Sequence, residues 1–472
     1  MRRLLVVVPL LLALLVGCAA APPAAAPPDP VGAEAVTGDW TGPIEIPGSP
    51  LDVGIRILHE GDGLRGEIDI PVQGIAAMPL GDVRLDGCEL AFTLPEVPGD
   101  ARFRGVVAAD GTAIEGEFTQ NGQTFPLVLR PGTATAPERP QEPQPPFPYR
   151  AEEVTYRSGE IDLAGTLTLP EGDGPFTAVL LITGSGAQNR DEELFGHKPF
   201  LLLADALTRA GHAMLRVDDR GVGGSGGTLA TSTYDDLVGD VVAGVEFLRG
   251  RPEIDPERIG LLGHSEGGYL APLVAGRTDV AFVVTMAGPA VSGEDVLVAQ
   301  NRLLMEAAGT PAAQVEDQVA YVRELIGLLR AEDYAAARAL VEEQIAEQTA
   351  GLPADQQPSP EQVQAQVESM VSPYMRSFLT HDPTESLRAL DVPVLAFFGG
   401  KDLQVPASQS EPVLRELLAG HPDPTIRAFP GLNHLMQPAI TGAIEEYATI
   451  PTTIDQQVLD LVTGWVGERF PA

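Results

Sequence analysis

The sequence predicts two domains of different class: a small all-β barrel or sandwich, followed by a mostly parallel α/β sheet with flanking helices and a helical cap. Two observations carry this reading. Near Glu152 the hydrophobic pattern switches from short alternating runs to continuous apolar runs separated by helical stretches. Two proline-rich segments isolate the first region from what surrounds it, and 472 residues exceed what one ordinary domain needs.

The first element is MRRLLVVVPLLLALLVGC, in which Arg2 and Arg3 precede an apolar stretch from Leu4 to Val16. That stretch is too short for a stable bilayer span and reads as an export signal over residues 1–17. Its end, Leu15-Val16-Gly17-Cys18, resembles the lipobox of bacterial lipoproteins. The resemblance implies cleavage before Cys18 and lipid attachment to it; an ordinary signal cleaved at Ala20 or Ala21 is the alternative. The expected location is the cell envelope, on the periplasmic or cell-surface side, with the membrane engaged only through the lipid on Cys18. Cys88 is the other cysteine, so a lipidated Cys18 excludes an intrachain disulfide. No His/Cys cluster has metal-ligand spacing, and neither a metal nor an organic cofactor is expected. The formal charge of −36 would repel phosphate backbones, which excludes nucleic acid as a partner.

Residues 18–37 form an Ala/Pro tether, and 132–151 a proline-rich linker expected to be stiff and solvated. Between them, residues 38–131 carry period-two alternation at Leu51–Ile57, Glu67–Ile70, Glu89–Leu94, Arg102–Val107 and Ala113–Phe118. Asp-Gly and Asn-Gly punctuation marks these as antiparallel strands joined by hairpins. The opening Gly38-Asp39-Trp40-Thr41-Gly42 resembles the tryptophan at the start of lipocalin-like barrels, but a Trp plugging one end of a barrel suffices to explain it. From residue 152 to 472, Ala178–Ile182, Ala213–Val217, Ile259–Leu262, Ala281–Thr285 and Val392–Phe398 read as buried parallel strands. The long segment between the last two, about 292–390, contains helical runs at Ala312–Arg330 and Glu332–Gln348 and is expected to form the cap.

The chemistry centres on GHSEGG, Gly263 to Gly268, between the run ending at Leu262 and a helix-forming segment. Glycines around Ser265 permit a sharp strand-to-helix turn that projects the hydroxyl above the sheet. A serine nucleophile needs an imidazole oriented by a carboxylate, each in a loop past a strand's carboxyl end and in the order Ser, acid, His. Asp402 follows VPVLAFFGG, and His434 follows the run ending at Phe429. Asp391 precedes its strand rather than following it. His421 also lies downstream, but in a plain Gly-His-Pro-Asp turn; His59, His197, His212, His264 and His381 fall in the wrong places. For the oxyanion, the N–H of Glu266, just after the nucleophile, pairs with an N–H from the glycine-bearing loop after Ile182. Ser185 is the assigned donor, with Gly186 as its nearest alternative.

Taken together, GSGAQNRDE from Gly184, DDRGVGGSGG from Asp218, GHSEGG, KDLQVP from Lys401 and LNHLMQ…TGAIEEYATIPTTI resemble the α/β-hydrolase superfamily. The likeness is to the bacterial EstD-like esterases of its serine aminopeptidase-like branch. This resemblance implies an α/β-hydrolase fold and a Ser265, Asp402 and His434 triad, with Ser185 and Glu266 as oxyanion donors. Conventional members carry histidine before the oxyanion glycine, where this chain has Thr183; the backbone role does not need it. Asp218, Asp219 and Arg220 could touch a polar substrate or form an internal ion pair, and the Glu266 side chain could bind a cationic group or merely answer a helix dipole. The expected activity is carboxylic-ester hydrolysis of a small molecule through an acyl-serine intermediate. Alternatives are a serine (amino)peptidase of the same fold, an envelope binding protein with the β-domain as ligand module, and a thioesterase, which export disfavours.

Overall fold

The computed structural model describes residues 31–471 apart from 47–49, 62, 74, 96, 98, 121, 135–137 and 352–356. The expected export signal, Cys18 and the alternative cleavage sites lie outside the described residues. Among the described residues the chain divides into two compact units: one takes in 139–341 and 367 onward, the other runs up to 138 and includes 342–366.

The N-terminal region is a nine-stranded antiparallel sheet that curls into a nearly closed barrel. Its strands are β1 (Gly38–Ile44), β2 (Leu51–Glu60), β3 (Gly63–Ile70), β4 (Ile75–Pro79), β5 (Gly81–Asp86), β6 (Glu89–Thr93), β7 (Arg102–Val107), β8 (Ile114–Gln120) and β9 (Gln123–Pro131). The order is β4-β3-β2-β1-β9-β8-β7-β6-β5, so the first and last strands meet in the middle. Alternation sends Val53, Ile55 and Ile57 of β2 inward, and Phe92 stacks on Phe103 with ring centroids 5.0 Å apart. Trp40 is buried at the start of this core, and its indole N–H donates to the Val36 carbonyl at 2.8 Å.

The second unit is built on an eight-stranded sheet of order β10-β11-β13-β12-β14-β15-β16-β17. An antiparallel hairpin, β10 (Arg150–Ser158) and β11 (Ile161–Leu169), leads into β12 (Phe176–Ile182), β13 (Ala213–Val217), β14 (Ile254–His264), β15 (Val283–Met286), β16 (Val394–Gly399) and β17 (Pro424–Phe429). These six run parallel to one another. Period-two alternation splits the buried strand residues between two cores. Leu180, Ile182, Leu261 and Phe398 pack with α2 (Tyr234–Arg249), α3 (Gly267–Ala275) and α10 (Ala407–Leu417); Val179, Leu181, Leu262 and Phe397 pack with α1 (Pro199–Arg209) and α11 (Gln456–Arg469). Between β15 and β16 come α4 (Gly293–Ala307), α5 (Ala312–Arg330), α6 (Tyr334–Thr349), α7 (Pro360–Met370), α8 (Pro373–Thr380) and α9 (Thr384–Arg388), where one crossover helix would suffice for the sheet.

The proline-rich stretch departs from expectation. Arg139, Gln141 and Tyr149 anchor it to the hydrolase unit, while residues 144–148 remain exposed. The Arg139 guanidinium donates to the carbonyls of Phe195 (2.9 Å), Gly196 (3.3 Å), Ala448 (2.8 Å) and Ile450 (3.3 Å). Gln141 accepts the N–H groups of Thr453 and Ile454 while donating to the Ile454 carbonyl. Tyr149 donates to Asp205 at 2.9 Å. Proline composition reports stiffness; it is blind to the polar residues between prolines that find partners hundreds of positions away.

Candidate active site

β14 ends at His264 and α3 starts at Gly267, leaving Ser265 on the turn with φ 52°. A non-glycine residue in this left-handed region is strained, and the surroundings hold it there: the Ser265 N–H donates to the Met286 carbonyl at 2.9 Å. The motif glycines are required by close approach. A Cβ on Gly263 would collide with the Gly267 carbonyl, and one on Gly267 with the Ile182 carbonyl of β12.

Two further loops leave the same, carboxyl, end of the sheet after β16 and β17. The first places Asp402, buried at 3% exposure, with Oδ1 accepting the N–H groups of Gln404 (2.8 Å) and Val405 (2.9 Å). Its Oδ2 accepts Nδ1–H of His434 at 2.7 Å. That bond sets the tautomer, leaving Nε2 of His434 free to take a proton. No hydrogen bond joins the Ser265 hydroxyl to His434 among the described residues. The loop around His434 is shaped by buried Asn433, whose Oδ1 accepts from the N–H groups of Leu435 and Gln437, both at 3.0 Å.

The backbone N–H groups of the two loops differ in their partners. Those of Ser185 and Glu266 have no hydrogen-bond partner among the described residues. The Gly186 N–H, in contrast, donates to the Tyr374 hydroxyl at 2.9 Å, and the Gly184 N–H to Glu192 at 2.6 Å. A Cβ placed on Gly184 would lie 3.4 Å from that of Ser265, so this loop runs directly beside the serine.

The Glu266 side chain turns away from the serine. It accepts hydrogen bonds from the Tyr234 hydroxyl (2.7 Å) and from the Tyr374 hydroxyl of α8 (2.6 Å), fully buried and without a cation. Burial pushes its carboxyl up to about 7, against the partial relief of the two tyrosines. Asp219 is similar. It accepts from the Thr183 hydroxyl and the Gln188 N–H, both at 2.8 Å, and burial, reinforced by Glu266 and Glu192, raises it to about 8. Thr183, where conventional family members carry histidine, thus ties the loop after β12 to the end of β13. Asp218 and Arg220 do form internal ion pairs, with Arg190 (2.8 Å) and Asp240 (2.5 Å). A small cavity of about 70 Å³ lies among Gly184, Gly186, Asp219, Glu266 and Tyr374.

The other histidines have structural partners or lie apart. His197 is buried between Thr453 and the Tyr447 carbonyl, and burial lowers it to about 4. His421 accepts from the Asp423 N–H in its turn. His264 bridges two loops of the site, a role that its place inside the elbow motif does not announce. Glu192, Tyr234, Tyr374 and Asn433 were also missed. Tyr374 lies 108 positions from Glu266, and no local pattern announces such a contact. Among the described residues no cluster of His, Cys, Asp and Glu could hold a metal ion.

A serine on a sharp strand-to-helix turn of a central parallel strand, with Asp402 and His434 on later strand ends, is the layout expected of an α/β hydrolase. The sequence profile of the Alpha/beta hydrolase family matches residues 179–440, and the chain belongs to that family. It is 28% identical over 353 residues to the esterase EstD of Thermotoga maritima, covering 74% of each chain. Similar solved structures include the Pyrococcus furiosus esterase Pf2001, at 14% identity and TM-score 0.43, covering 72% of this chain and 100% of that one. Another is a proline iminopeptidase of Mycobacterium smegmatis, at 19% identity and TM-score 0.40, covering 67% of this chain and 98% of that one.

Proposed function

We propose that the protein is a serine carboxylic-ester hydrolase of the cell envelope, anchored by lipid on Cys18. The observation that carries the catalytic reading is the Asp402–His434 hydrogen bond at the strand ends beyond the Ser265 elbow. Nε2 of His434 takes the Ser265 proton as the oxygen attacks the ester carbonyl. The N–H groups of Ser185 and Glu266 receive the oxyanion, each worth about 3 kcal/mol of barrier. The imidazolium then protonates the leaving alcohol, and the same ring activates water to release the acyl group.

Support for an ester rather than a peptide amino terminus comes from Glu266. A substrate ammonium would need an accessible carboxylate, and this one is enclosed by Tyr234 and Tyr374. EstD, the esterase to which the chain is similar, favours the same reading. The test compares nitrophenyl esters of graded chain length with aminoacyl anilides, on the intact protein and on Ser265→Ala. Ester turnover is expected to exceed amide turnover and to be abolished by the substitution. Faster amide cleavage would overturn the esterase assignment, and undiminished ester cleavage by Ser265→Ala would remove the nucleophile. For the anchor, Cys18→Ala should release the protein from the membrane fraction of expressing cells; continued membrane association would overturn lipidation.

A further inference from the structure

Beside the Asp402–His434 pair stands a second buried acid–histidine pair to which no step has been assigned. Glu192 and His264 have side-chain exposures of 1% and 2%. Nδ1 of His264 lies 2.8 Å from Glu192 Oε1, and its Nε2 lies 3.1 Å from the main-chain carbonyl of His434. Both ring nitrogens therefore face acceptors. A carbonyl can only accept, so Nε2 carries a proton. Glu192 Oε1 already accepts the Gly184 N–H at 2.6 Å, which suits a carboxylate and places a second proton on Nδ1. The ring holding both is an imidazolium, and its charge is matched by Glu192.

We propose that His264, a doubly protonated ring held between Glu192 and the His434 carbonyl, is a positioning residue that fixes the His434 loop against the loop after β12. The proposal rests on the assignment of His434 as the general base. One carboxylate and one ring tie together the three parts that the chemistry must align: the oxyanion loop through Gly184, the serine elbow through the residue before Ser265, and the base through its own carbonyl. The rings of His264 and His434 are 4.8 Å apart between centroids. The charged groups facing His264 are Glu192 from the oxyanion side and, from the later loops, His434 and Asp402. Burial by itself would lower the basicity of His264, but the charge and hydrogen bond of Glu192 outweigh it and the net direction is upward.

The test begins with nitrogen-15 histidine NMR of the intact protein, the signals being assigned by their loss in His264→Gln. Two ring N–H protons on His264 at pH 8 are expected, where an ordinary imidazole is neutral. A single ring proton there would overturn the proposal. The measurement is repeated on Ser265→Ala, so it stands whether or not Ser265 is the nucleophile. Kinetics supply the second readout. His264→Gln retains an amide donor for the His434 carbonyl but no charge. It should lower kcat by roughly 10- to 100-fold, the range for small misplacements of catalytic groups, with KM changed less than about twofold. A loss borne mainly by KM, or an unchanged kcat, would overturn the positioning role. Glu192→Asp, which keeps the carboxylate, should retain more of kcat than Glu192→Gln; equal losses would count equally against the proposal.

Discussion

The barrel region and the hydrolase unit bury side chains under opposite rules. Among the described residues up to 138, no polar or charged side chain is buried; the barrel core is Ile, Val, Leu, Phe, Ala and one Trp. In the hydrolase unit Glu192, Asp218, Glu266, Asp402, His264 and His434 are all buried, each lying at or beyond a strand's carboxyl end. An antiparallel barrel with one solvated face can satisfy every backbone group in its ladders and leave its interior wholly apolar. A parallel sheet concentrates loops at one end, and a dry, polar site can be assembled only there. The cost of desolvating charge is thus confined to the region that uses it.

Substitutions sharpen the contrast, and the largest effect is expected within the polar cluster. Asp402→Asn should lower ester turnover by about 10⁴-fold, because a carboxamide no longer enforces the Nδ1-protonated tautomer of His434; steady-state kinetics at pH 8 would reveal a smaller role. In the barrel, Phe103→Ala should destabilise by about 3–5 kcal/mol through cavity formation. Denaturant titration checks this, and a cost under about 1 kcal/mol would mean that the Phe92–Phe103 stack is not central to the core. Tyr234→Phe leaves one oxygen of buried Glu266 without its donor, a loss of about 1–3 kcal/mol, measurable by thermal unfolding. The smallest effect is on pH dependence. Asp219 has a folded-state pKa raised to about 8 above its ordinary value of 3.8. Its neutral form is therefore favoured by folding, and the associated stability is full below about pH 4 and lost as pH rises toward 8. Asp219→Asn removes this titration, so the melting temperature of the variant relative to wild type should increase from pH 5 to pH 9. A constant difference would show that Asp219 is ionised throughout.

Much of this contrast was legible before the fold was known, and what escaped has physical causes. Alternation revealed β2, β3, β6, β7 and β8, whereas β1 and β9 carry Pro43 and Pro126, and β4 and β5 are short edge strands of small or charged residues. In the α/β unit, continuous apolar runs located β13 to the residue and β12 except for its first two residues, but the β10–β11 hairpin that opens the sheet was absorbed into the parallel pattern. Ser265, Asp402 and His434 stood out because mechanism demands an order along the chain. Glu192, His264 and Tyr374 did not, because their roles depend on partners 72 to 188 positions distant. Sequence pattern reports what a residue does to its own element; a network across loops is visible only after closure.

The docked proline stretch bears on where the hydrolase can be cut from the rest of the chain. A recombinant fragment starting at Glu152, where the pattern changes, would discard Arg139, Gln141 and Tyr149. It would unlatch the loop at Phe195–Gly196 from the one at Ala448–Ile450, which belongs to the segment following His434. A fragment starting ahead of Arg139 retains the clasp. Composition marks this stretch as spacer, yet for anyone isolating the hydrolase it is the hem of the folded unit.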